Sequence, residues 1–210
     1  KYFYEKPYEV LRVNLLSLMN ILEWINEDNC GRFLFSSSSE AYAGTISLFS
    51  NSHDFLPSKE DIPLSIDNIF NERYSYGGSK LAGELLTSNY FKFQNTPYYI
   101  VRFHNIYGPR MGFEHVIPEF AKRVFNKENP FKIFGGKQTR AFCFIDDATS
   151  AIEGLLNHES QDREVFHIGN PNEEINIIEL AKRIFLLSKY EPKIEIKKPP
   201  QGSVERRCPD

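Results

Sequence analysis

The stretch YSYGGSKLAGELL, residues Tyr74–Leu86, determines how the rest of the chain is interpreted. Its leucines have helical spacing, and Tyr76 and Lys80 stand one turn apart, so both project from the same helix face. A free phenol titrates near ~10, and an ammonium beside it favours the phenolate. The pair is therefore a candidate general base with its activator. The alternative is a surface lysine beside an interfacial tyrosine.

A serine-rich stretch follows a predicted strand upstream of this helix. Arg32–Phe35 is a short apolar run typical of a buried parallel strand, and it leads directly into Ser36–Glu40. In open α/β sheets, ligand-binding groups collect at the carboxyl ends of the strands. The hydroxyls and the carboxylate therefore predict a site there. The alternative is a serine-rich loop with a helix cap.

Together the two stretches resemble the extended short-chain dehydrogenase/reductases that act on nucleotide sugars. In those proteins a strand ends in Ser/Thr-x-x-x-Tyr-Gly, and Tyr-x-x-x-Lys follows some tens of residues later. Further matching segments occur in the family's order along nearly the whole chain: Arg102–Arg110, Phe134–Phe142, Asp146-Asp147, His167–Pro171 and Arg206–Asp210.

The resemblance implies an α/β fold, namely a partial Rossmann-like parallel sheet with a smaller C-terminal substrate-binding lobe. Residues 1–107 would form the C-terminal part of the NAD-binding domain. Residues 108–210 would form mainly the lobe, with 140–170 partly returning to the sheet. The sequence contains no glycine-rich dinucleotide fingerprint and opens at Lys1 inside a predicted helix. We therefore expect a fragment that lacks the first strands of the sheet.

Hydrophobic periodicity predicts the individual elements. Helices are expected up to about Glu27, from the Tyr76 stretch to about Gln94, over Val116–Asn126 and over Ile177–Leu187. Strands are expected over Arg32–Phe35, Pro97–Phe103, Phe131–Phe134, Arg163–Ile168 and Lys193–Lys198. Asn51–Asn71 is polar, contains two prolines and is predicted to be a surface loop.

The resemblance also implies catalytic roles. The family keeps NAD bound and passes a hydride from a sugar carbon, usually C4, to the nicotinamide and back. Tyr76 would accept the hydroxyl proton, while Lys80 would lower the pKa of Tyr76 and bind the nicotinamide ribose. Ser38 would bridge the sugar hydroxyl and Tyr76. Glu40 would act as a base at C5 or hold the sugar ring.

Binding residues follow from the same match. The residues expected to bind the cofactor are Ser36, Ser37, Tyr76, Lys80, Phe103 and His115. The residues expected to bind substrate are Ser38, Ser39, Tyr90, Asn105, Arg140 and Arg206. Arginine suits bidentate contact with a diphosphate. The alternatives are a surface salt bridge for each arginine, a turn-forming role for Asn105, and a core position for His104 and His167.

The particular reaction depends on few residues, because a 4-keto sugar leads to epimerisation, dehydration or decarboxylation. The pair Ser39-Glu40 resembles both UDP-glucuronate decarboxylases and GDP-mannose dehydratases. The segments Ile168–Ala181, Gly136–Arg140 and Arg206–Asp210 look most like the decarboxylases. Three features depart from that pattern: Ser38 for the usual threonine, His115 for arginine, and the additional Ala43. A nucleotide-sugar 4,6-dehydratase, a 4-epimerase and a non-catalytic binding homologue remain alternatives. A hydrolase is disfavoured because no Gly-x-Ser-x-Gly elbow is present.

Bulk properties exclude other classes of protein. The 210 residues are 41% hydrophobic and 25% charged with net charge -3, so no basic field for nucleic acid exists. No apolar run approaches the ~18 residues of a membrane span. The three cysteines are widely spaced, which predicts reduced thiols in a cytoplasmic protein. His115 and Glu119 have ligand-like spacing without a third ligand, so no metal is expected. The resemblance implies a homodimer formed through the helix of Tyr76 and Lys80.

Overall fold

The computed structural model describes residues 2–25, 30–49, 55–158, 163–199 and 204–210. The helices are α1 (Tyr2–Glu5), α2 (Pro7–Trp24), α3 (Ala43–Leu48), α4 (Tyr74–Tyr90), α5 (Val116–Phe125), α6 (Ile145–Asn157) and α7 (Ile177–Ser188). The strands are β1 (Phe33–Ser38), β2 (Tyr98–Phe103), β3 (Ile106–Tyr107), β4 (Phe131–Phe134), β5 (Thr139–Ala141), β6 (Cys143–Phe144), β7 (Arg163–Ile168), β8 (Glu174–Asn176), β9 (Ile194–Lys197) and β10 (Arg206–Arg207).

The main sheet is parallel and, within the described residues, has the strand order β1-β2-β7. Its register places Ser38 opposite Phe103, and Phe103 opposite Ile168. The carboxyl ends of the strands therefore lie at one edge of the sheet. This edge is where open α/β sheets bind their ligands.

Alternate residues of β2 face two different helical layers, as the two-residue period of a strand requires. Tyr98 and Ile100 pack with α2 and with Phe91, which follows α4. Tyr99 and Val101 face the opposite side and pack in a cluster with Ala148 of α6. The result is a sheet between helical layers, and burial on both faces explains the apolar sequence of β2.

Helix α4 lies unusually close to β1 and to the 3-10 helix Ser39–Tyr42 that follows it. A Cβ placed on Gly77 would be 2.7 Å from the Glu40 carbonyl oxygen. A Cβ on Gly83 would be 2.3 Å from the Phe35 ring. Glycine is therefore required for the observed approach of α4 to the strand end.

A second cluster forms the core of the C-terminal part of the chain. The buried side chains of Phe120, Phe131 and Phe185 join α5, β4 and α7. The rings of Phe120 and Phe131 lie 5.3 Å apart and nearly perpendicular. Strand β9 pairs in parallel with β4 and extends this unit.

Residues 204–210 dock onto the loop that precedes α4. The Ser58 amide donates to the Cys208 carbonyl at 2.9 Å, and the Asp210 amide donates to the Ser58 carbonyl at 2.9 Å. Strand β10 also pairs in parallel with β5. These contacts bring Arg207 to the carboxyl edge of the main sheet.

The structure confirms the strands predicted at Phe131–Phe134 and Arg163–Ile168 and adjusts the ends of other elements. The first long helix ends at Trp24, because Ile25 is extended; the predicted end near Glu27 lies outside the described residues. Helix α4 ends at Tyr90 and continues as a 3-10 turn. Helices α3 and α6 were not predicted.

The close approach at Gly77 predicts the effect of adding a methyl group there. Gly77→Ala should lower the free energy of unfolding by about 1–3 kcal/mol, because the Glu40 backbone cannot move aside without disturbing the 3-10 helix. Urea unfolding of the full-length protein measures this effect. Gly154→Ala is the control: nothing lies within 4 Å, so a gain of about 0.5–1 kcal/mol is expected. Equal effects of the two changes would contradict the packing described.

Candidate active site

Ser38, Tyr76 and Lys80 meet where β1 ends against α4. The Lys80 ammonium donates to the Ser36 carbonyl at 2.8 Å and lies 5.6 Å from the centre of the Tyr76 ring. The Ser38 hydroxyl lies within hydrogen-bond reach of the Tyr76 phenol. Helix α4 supplies two of these groups from one face, and the strand end supplies the third. The structure therefore brings together the three groups that the sequence singled out.

Burial dominates the electrostatics of Tyr76. Burial raises the pKa of Tyr76 above its ordinary value; the hydrogen bond with Ser38 and the charge of Arg207 oppose that rise. Burial also lowers the pKa of Lys80. Lys80 donates to the Ser36 carbonyl, and its role in lowering the pKa of Tyr76 stays a prediction.

Glu40 is held by two arginines rather than left available as a base. Arg73 forms a bidentate pair with its carboxylate at 2.9 and 2.8 Å, and Arg207 donates to it at 2.6 Å. Burial would raise the pKa of Glu40, but the charges of Arg207 and Arg73 outweigh burial and hold the pKa at about 2. This geometry does not favour the base role considered for Glu40, since so weak a base scarcely accepts a proton near neutral pH.

Neighbouring arginines of β10 face opposite ways. Arg206 forms a bidentate pair with Glu174 at 2.8 and 2.9 Å, away from Tyr76. Arg207 is buried beside Glu40, and its Nη2 atom has no hydrogen-bond partner among the described residues. The alternation of the strand turns Arg207 toward Glu40, and Arg206 as a substrate contact stays a prediction.

Arg140 and Asn105 line a cavity of about 400 Å³ between the sheet edge and the C-terminal core. Arg140 donates to the carbonyls of Thr139 and Val204 at 2.7 and 2.8 Å. Burial, together with the like charges of Arg207 and Arg73, lowers the pKa of Arg140 to about 9. An anion bound here would relieve this crowding of positive charge.

Asn105 has a positive φ of 43°, a conformation that asparagine tolerates better than most residues. Its side-chain amide donates to the Ala141 carbonyl at 3.1 Å. This bond holds the segment after β2 against β5 at the mouth of the cavity. Asn105 therefore has a turn-forming role in addition to its place in the cavity wall.

The remaining predicted binding residues differ in placement. Ser36 is exposed, Ser39 is buried at the start of the 3-10 helix, and Phe103 pairs in register with Ser38. The Ser37 hydroxyl is directed into the core, where it donates to Glu84 at 2.6 Å. His115 is exposed and precedes α5, beside the cavity rather than among its lining residues.

Tyr90 is the predicted substrate contact that the structure places elsewhere. Its hydroxyl donates to the Ile25 carbonyl at 2.6 Å, and its ring packs with the core cluster around Phe91. It lies 14 residues after Tyr76 on the same helix, which is about 21 Å. The structure therefore places Tyr90 apart from the group formed by Ser38, Tyr76 and Lys80.

Four charged residues near the site were not predicted. Arg73 and Arg207 hold Glu40, and Arg102 forms a buried bidentate pair with Glu84 at 2.9 and 2.7 Å. The last pair leaves a signal in the sequence. Glu84 interrupts an apolar helix stripe, Arg102 interrupts an apolar strand, and buried charges of opposite sign pair with each other.

His104 is the core histidine that the sequence indicated. It is fully buried, and its Nε2 atom lies 3.0 Å from the Tyr42 hydroxyl. Burial and the nearby His167 lower the pKa of His104 to about 2, so its ring is neutral. Across the described ranges, no three His, Cys, Asp or Glu side chains are placed to hold a metal ion. None of the helices described is long and apolar enough to cross a membrane.

The groups around Lys80 fit the nicotinamide-ribose part of NAD. An ammonium has three donors, and the Ser36 carbonyl takes one of them, so donors remain for ribose hydroxyls. Ser36 lies toward the carboxyl end of β1 and Lys80 on the helix beside it, at the end of the strands where α/β sheets bind their ligands. The donor set therefore suits this half of the cofactor, and Tyr76 stands beside it.

A parallel α/β sheet with a serine at a strand end and Tyr-x-x-x-Lys on the adjoining helix defines a short-chain dehydrogenase/reductase. The sequence profile of the family described as "Epimerase: NAD dependent epimerase/dehydratase family" matches residues 3–169. The chain belongs to the NAD-dependent epimerase/dehydratase family.

Relatives in this family catalyse different reactions. UDP-glucuronic acid decarboxylase 4 of Arabidopsis thaliana is 31% identical over 208 residues, which are 97% of this chain and 44% of that protein. The dTDP-D-glucose 4,6-dehydratase of Dictyostelium discoideum is 29% identical over 181 residues, which are 83% of this chain and 39% of that protein. The chain therefore spans less than half the length of either relative.

Solved structures share the fold. UDP-glucose 4-epimerase of Thermotoga maritima, determined with UDP-glucose, superposes with a TM-score of 0.81 at 26% identity and covers 98% of this chain and 63% of that chain. UDP-glucuronic acid 4-epimerase of Bacillus cereus, determined with NAD, superposes with a TM-score of 0.76 at 24% identity over 94% of this chain and 58% of that chain.

The ionised Glu40 predicts a specific loss of stability in acid. Because its pKa is held near 2, the stabilisation is complete above its unfolded value of 4.5 and disappears as pH falls toward 2. Glu40→Gln should lower the free energy of unfolding by about 3 kcal/mol at pH 7, and this difference should vanish near pH 2. Urea unfolding across this pH range measures it.

Glu179→Gln is the matched control, because Glu179 pairs with Lys182 at the surface. A surface pair contributes about 0–1 kcal/mol. The description of Glu40 would be contradicted if its substitution had the same small effect at every pH.

Proposed function

We propose that the full-length protein oxidises C4 of a nucleoside-diphosphate sugar transiently and releases carbon dioxide from a UDP-uronic acid. The observation that carries this proposal is the meeting of Ser38, Tyr76 and Lys80 at the carboxyl edge of the sheet. NAD, when bound, supplies a hydride acceptor and its positively charged nicotinamide, which favours the phenolate of a neighbouring tyrosine.

The chain's own residues would handle the proton. Tyr76 accepts the proton of the C4 hydroxyl as that carbon is oxidised. Ser38 hydrogen-bonds the C4 oxygen of the sugar and the phenol oxygen of Tyr76. Lys80 stabilises the phenolate and holds the ribose. Oxidation at C4 makes the C6 carboxylate of a uronic acid a β-keto carboxylate. Its C5–C6 bond breaks, carbon dioxide leaves, and the electron pair stays on an enolate that is protonated at C5. Return of the hydride to C4, with the proton given back by Tyr76, then yields the pentose.

The state of Glu40 favours decarboxylation over dehydration. Dehydration needs a base that removes the C5 proton, and a carboxylate with a pKa of about 2 is a poor one. Loss of carbon dioxide from a β-keto carboxylate needs no base at C5. 4-Epimerisation also needs none, and it is the second candidate, supported by the similarity to the Thermotoga maritima epimerase.

The charge around Glu40 suits a highly anionic substrate. Arg73, Arg140 and Arg207 surround one carboxylate, and the Nη2 atom of Arg207 has no partner in the described chain. A diphosphate and a sugar carboxylate carry the opposite charge, and arginine binds both in bidentate fashion. The cavity beside Arg140 would receive the nucleotide.

We also propose a homodimer formed through α2 and α4. Their surface carries an apolar groove of about 680 Å³, lined by Leu15, Met19 and Leu85 among others. Met19 and Leu85 are exposed in the single chain. Covering such a groove with its copy would remove this apolar surface from water.

The free thiols of Cys30, Cys143 and Cys208 support a reducing compartment such as the cytoplasm.

The proposed reaction is tested by incubating full-length protein with NAD and UDP-glucuronate and following carbon dioxide and UDP-pentose. Tyr76→Phe should lower kcat at least about 100-fold and leave substrate affinity nearly unchanged, because the phenol acts as a base. Tyr90→Phe is the control on the same helix and should leave both parameters unchanged. Formation of the C4 epimer without carbon dioxide would indicate the second candidate. Undiminished turnover by Tyr76→Phe would overturn the mechanism.

A further inference from the structure

The buried pair Glu84–Arg102 has no part in the mechanism above, yet it lies directly beneath the site. Arg102 on β2 donates Nε to Glu84 Oε1 at 2.9 Å and Nη2 to Oε2 at 2.7 Å. The Ser37 hydroxyl on β1 donates to the same Oε1 at 2.6 Å. All three residues are buried: the exposed fractions are 4% for Arg102, 5% for Glu84 and 2% for Ser37.

This pair is a weak source of stability. Two charges lose their hydration when they are buried, and their mutual attraction commonly does no more than offset that loss. Arg102 also donates Nη1 to the Glu60 carbonyl at 2.9 Å. The pair does impose direction, because a bidentate guanidinium–carboxylate contact has a fixed geometry.

The elements joined by this network are the ones that carry the site. Ser37 immediately precedes Ser38, and Glu84 lies one helical turn beyond Lys80 and two beyond Tyr76. The contact of Gly83 with the Phe35 ring fixes how closely α4 approaches β1, but an apolar contact permits sliding. The hydrogen bonds on Glu84 fix the position of the helix along the strand.

We propose that Glu84 and Arg102, acting through the Ser37 hydroxyl, are positioning residues. They hold α4 at the position along β1 at which Tyr76 and Lys80 reach Ser38. The proposal rests on the proposed function, since it concerns the same reaction. Glu84 and Tyr76 are separated by about 12 Å along the helix axis, so a tilt of about 5° moves the phenol by about 1 Å. A displacement of that size far from the chemistry can cost about 100-fold in rate.

The first test variant is Ser37→Ala in the full-length protein with NAD. It removes one link between β1 and α4 and leaves the ion pair intact, so the fold should survive with a small loss of stability. We expect kcat to fall about tenfold with KM within about twofold of wild type. The acidic limb of the kcat–pH profile should move up by about one unit, because Ser38 no longer hydrogen-bonds Tyr76.

Ser37→Ala alters none of the charged groups that face the Tyr76 phenol, so a shift reports the displacement of the phenol relative to Ser38 and to these groups. They come from three elements: Lys80 on α4, Glu40 on the 3-10 helix and Arg207 on β10.

Thr87→Val is the matched control. Thr87 is a fully buried residue of α4, and its hydroxyl donates to the Gly83 carbonyl inside the same helix at 2.8 Å. The change removes a buried hydroxyl but no bond to β1. It should lower stability by a comparable amount and leave kcat, KM and the pH profile unchanged.

The second variant replaces the pair by apolar residues, Glu84→Leu with Arg102→Met. The change also removes the bonds from Arg102 to the Glu60 carbonyl and from Ser37 to Glu84. We expect a folded protein whose kcat falls at least tenfold. Should this double variant fail to fold, Ser37→Ala decides alone. Unchanged kcat and an unchanged pH profile in Ser37→Ala, or in a folded double variant, would overturn the proposal.

A readout without turnover separates this proposal from the proposed function. Crystal structures of full-length wild type and Ser37→Ala give the distance between the Ser38 and Tyr76 hydroxyl oxygens. We expect this distance to lengthen in the variant and stay unchanged in Thr87→Val. If wild type converts no nucleotide sugar, the proposed function fails, whereas an unchanged distance rejects the positioning role.

Discussion

The approach of α4 to the end of β1 is the constraint on which the rest of the structure depends. Gly77 lets the helix reach the Glu40 carbonyl, where any Cβ would collide with the backbone. Because the helix lies this close, Tyr76 and Lys80 reach the strand end that carries Ser38. A helix held farther away by side chains would leave a serine-rich turn and a surface lysine, which is the alternative that the sequence alone left open.

Charge balance explains why this edge of the sheet differs from an ordinary loop. Arg73 and Arg207 hold Glu40 ionised, and Arg140 lies near them with hydrogen bonds to backbone carbonyls. Positive charge exceeds negative charge in this group, and an anionic ligand would redress the difference. Beneath it, Glu84 and Arg102 neutralise each other within the core. The arginines around Glu40 thus suit the binding of an anionic ligand. The Glu84–Arg102 pair suits the positioning of α4 against the sheet.

Local patterns in the sequence anticipated the parts of the structure that local forces determine. Aromatic and β-branched runs marked β2 and β7, and the four-residue spacing put Tyr76 and Lys80 on one face. Long-range pairing determined the rest. Strand β10 acquires its orientation from β5, more than 60 residues away, so the sequence did not reveal that Arg207 rather than Arg206 faces Glu40. Tyr90 lies on roughly the same face of α4 as Tyr76, but it is about 21 Å farther along the helix axis.

The central claim is that this edge of the sheet supports transient oxidation of a sugar carbon. Single-turnover reaction of the full-length protein, loaded with NAD, with UDP-glucuronate deuterated at C4 tests it most directly. The account predicts a transient absorbance of reduced nicotinamide and a product that retains deuterium at C4. A product formed without that absorbance, or with the C4 deuterium lost to solvent, would contradict it.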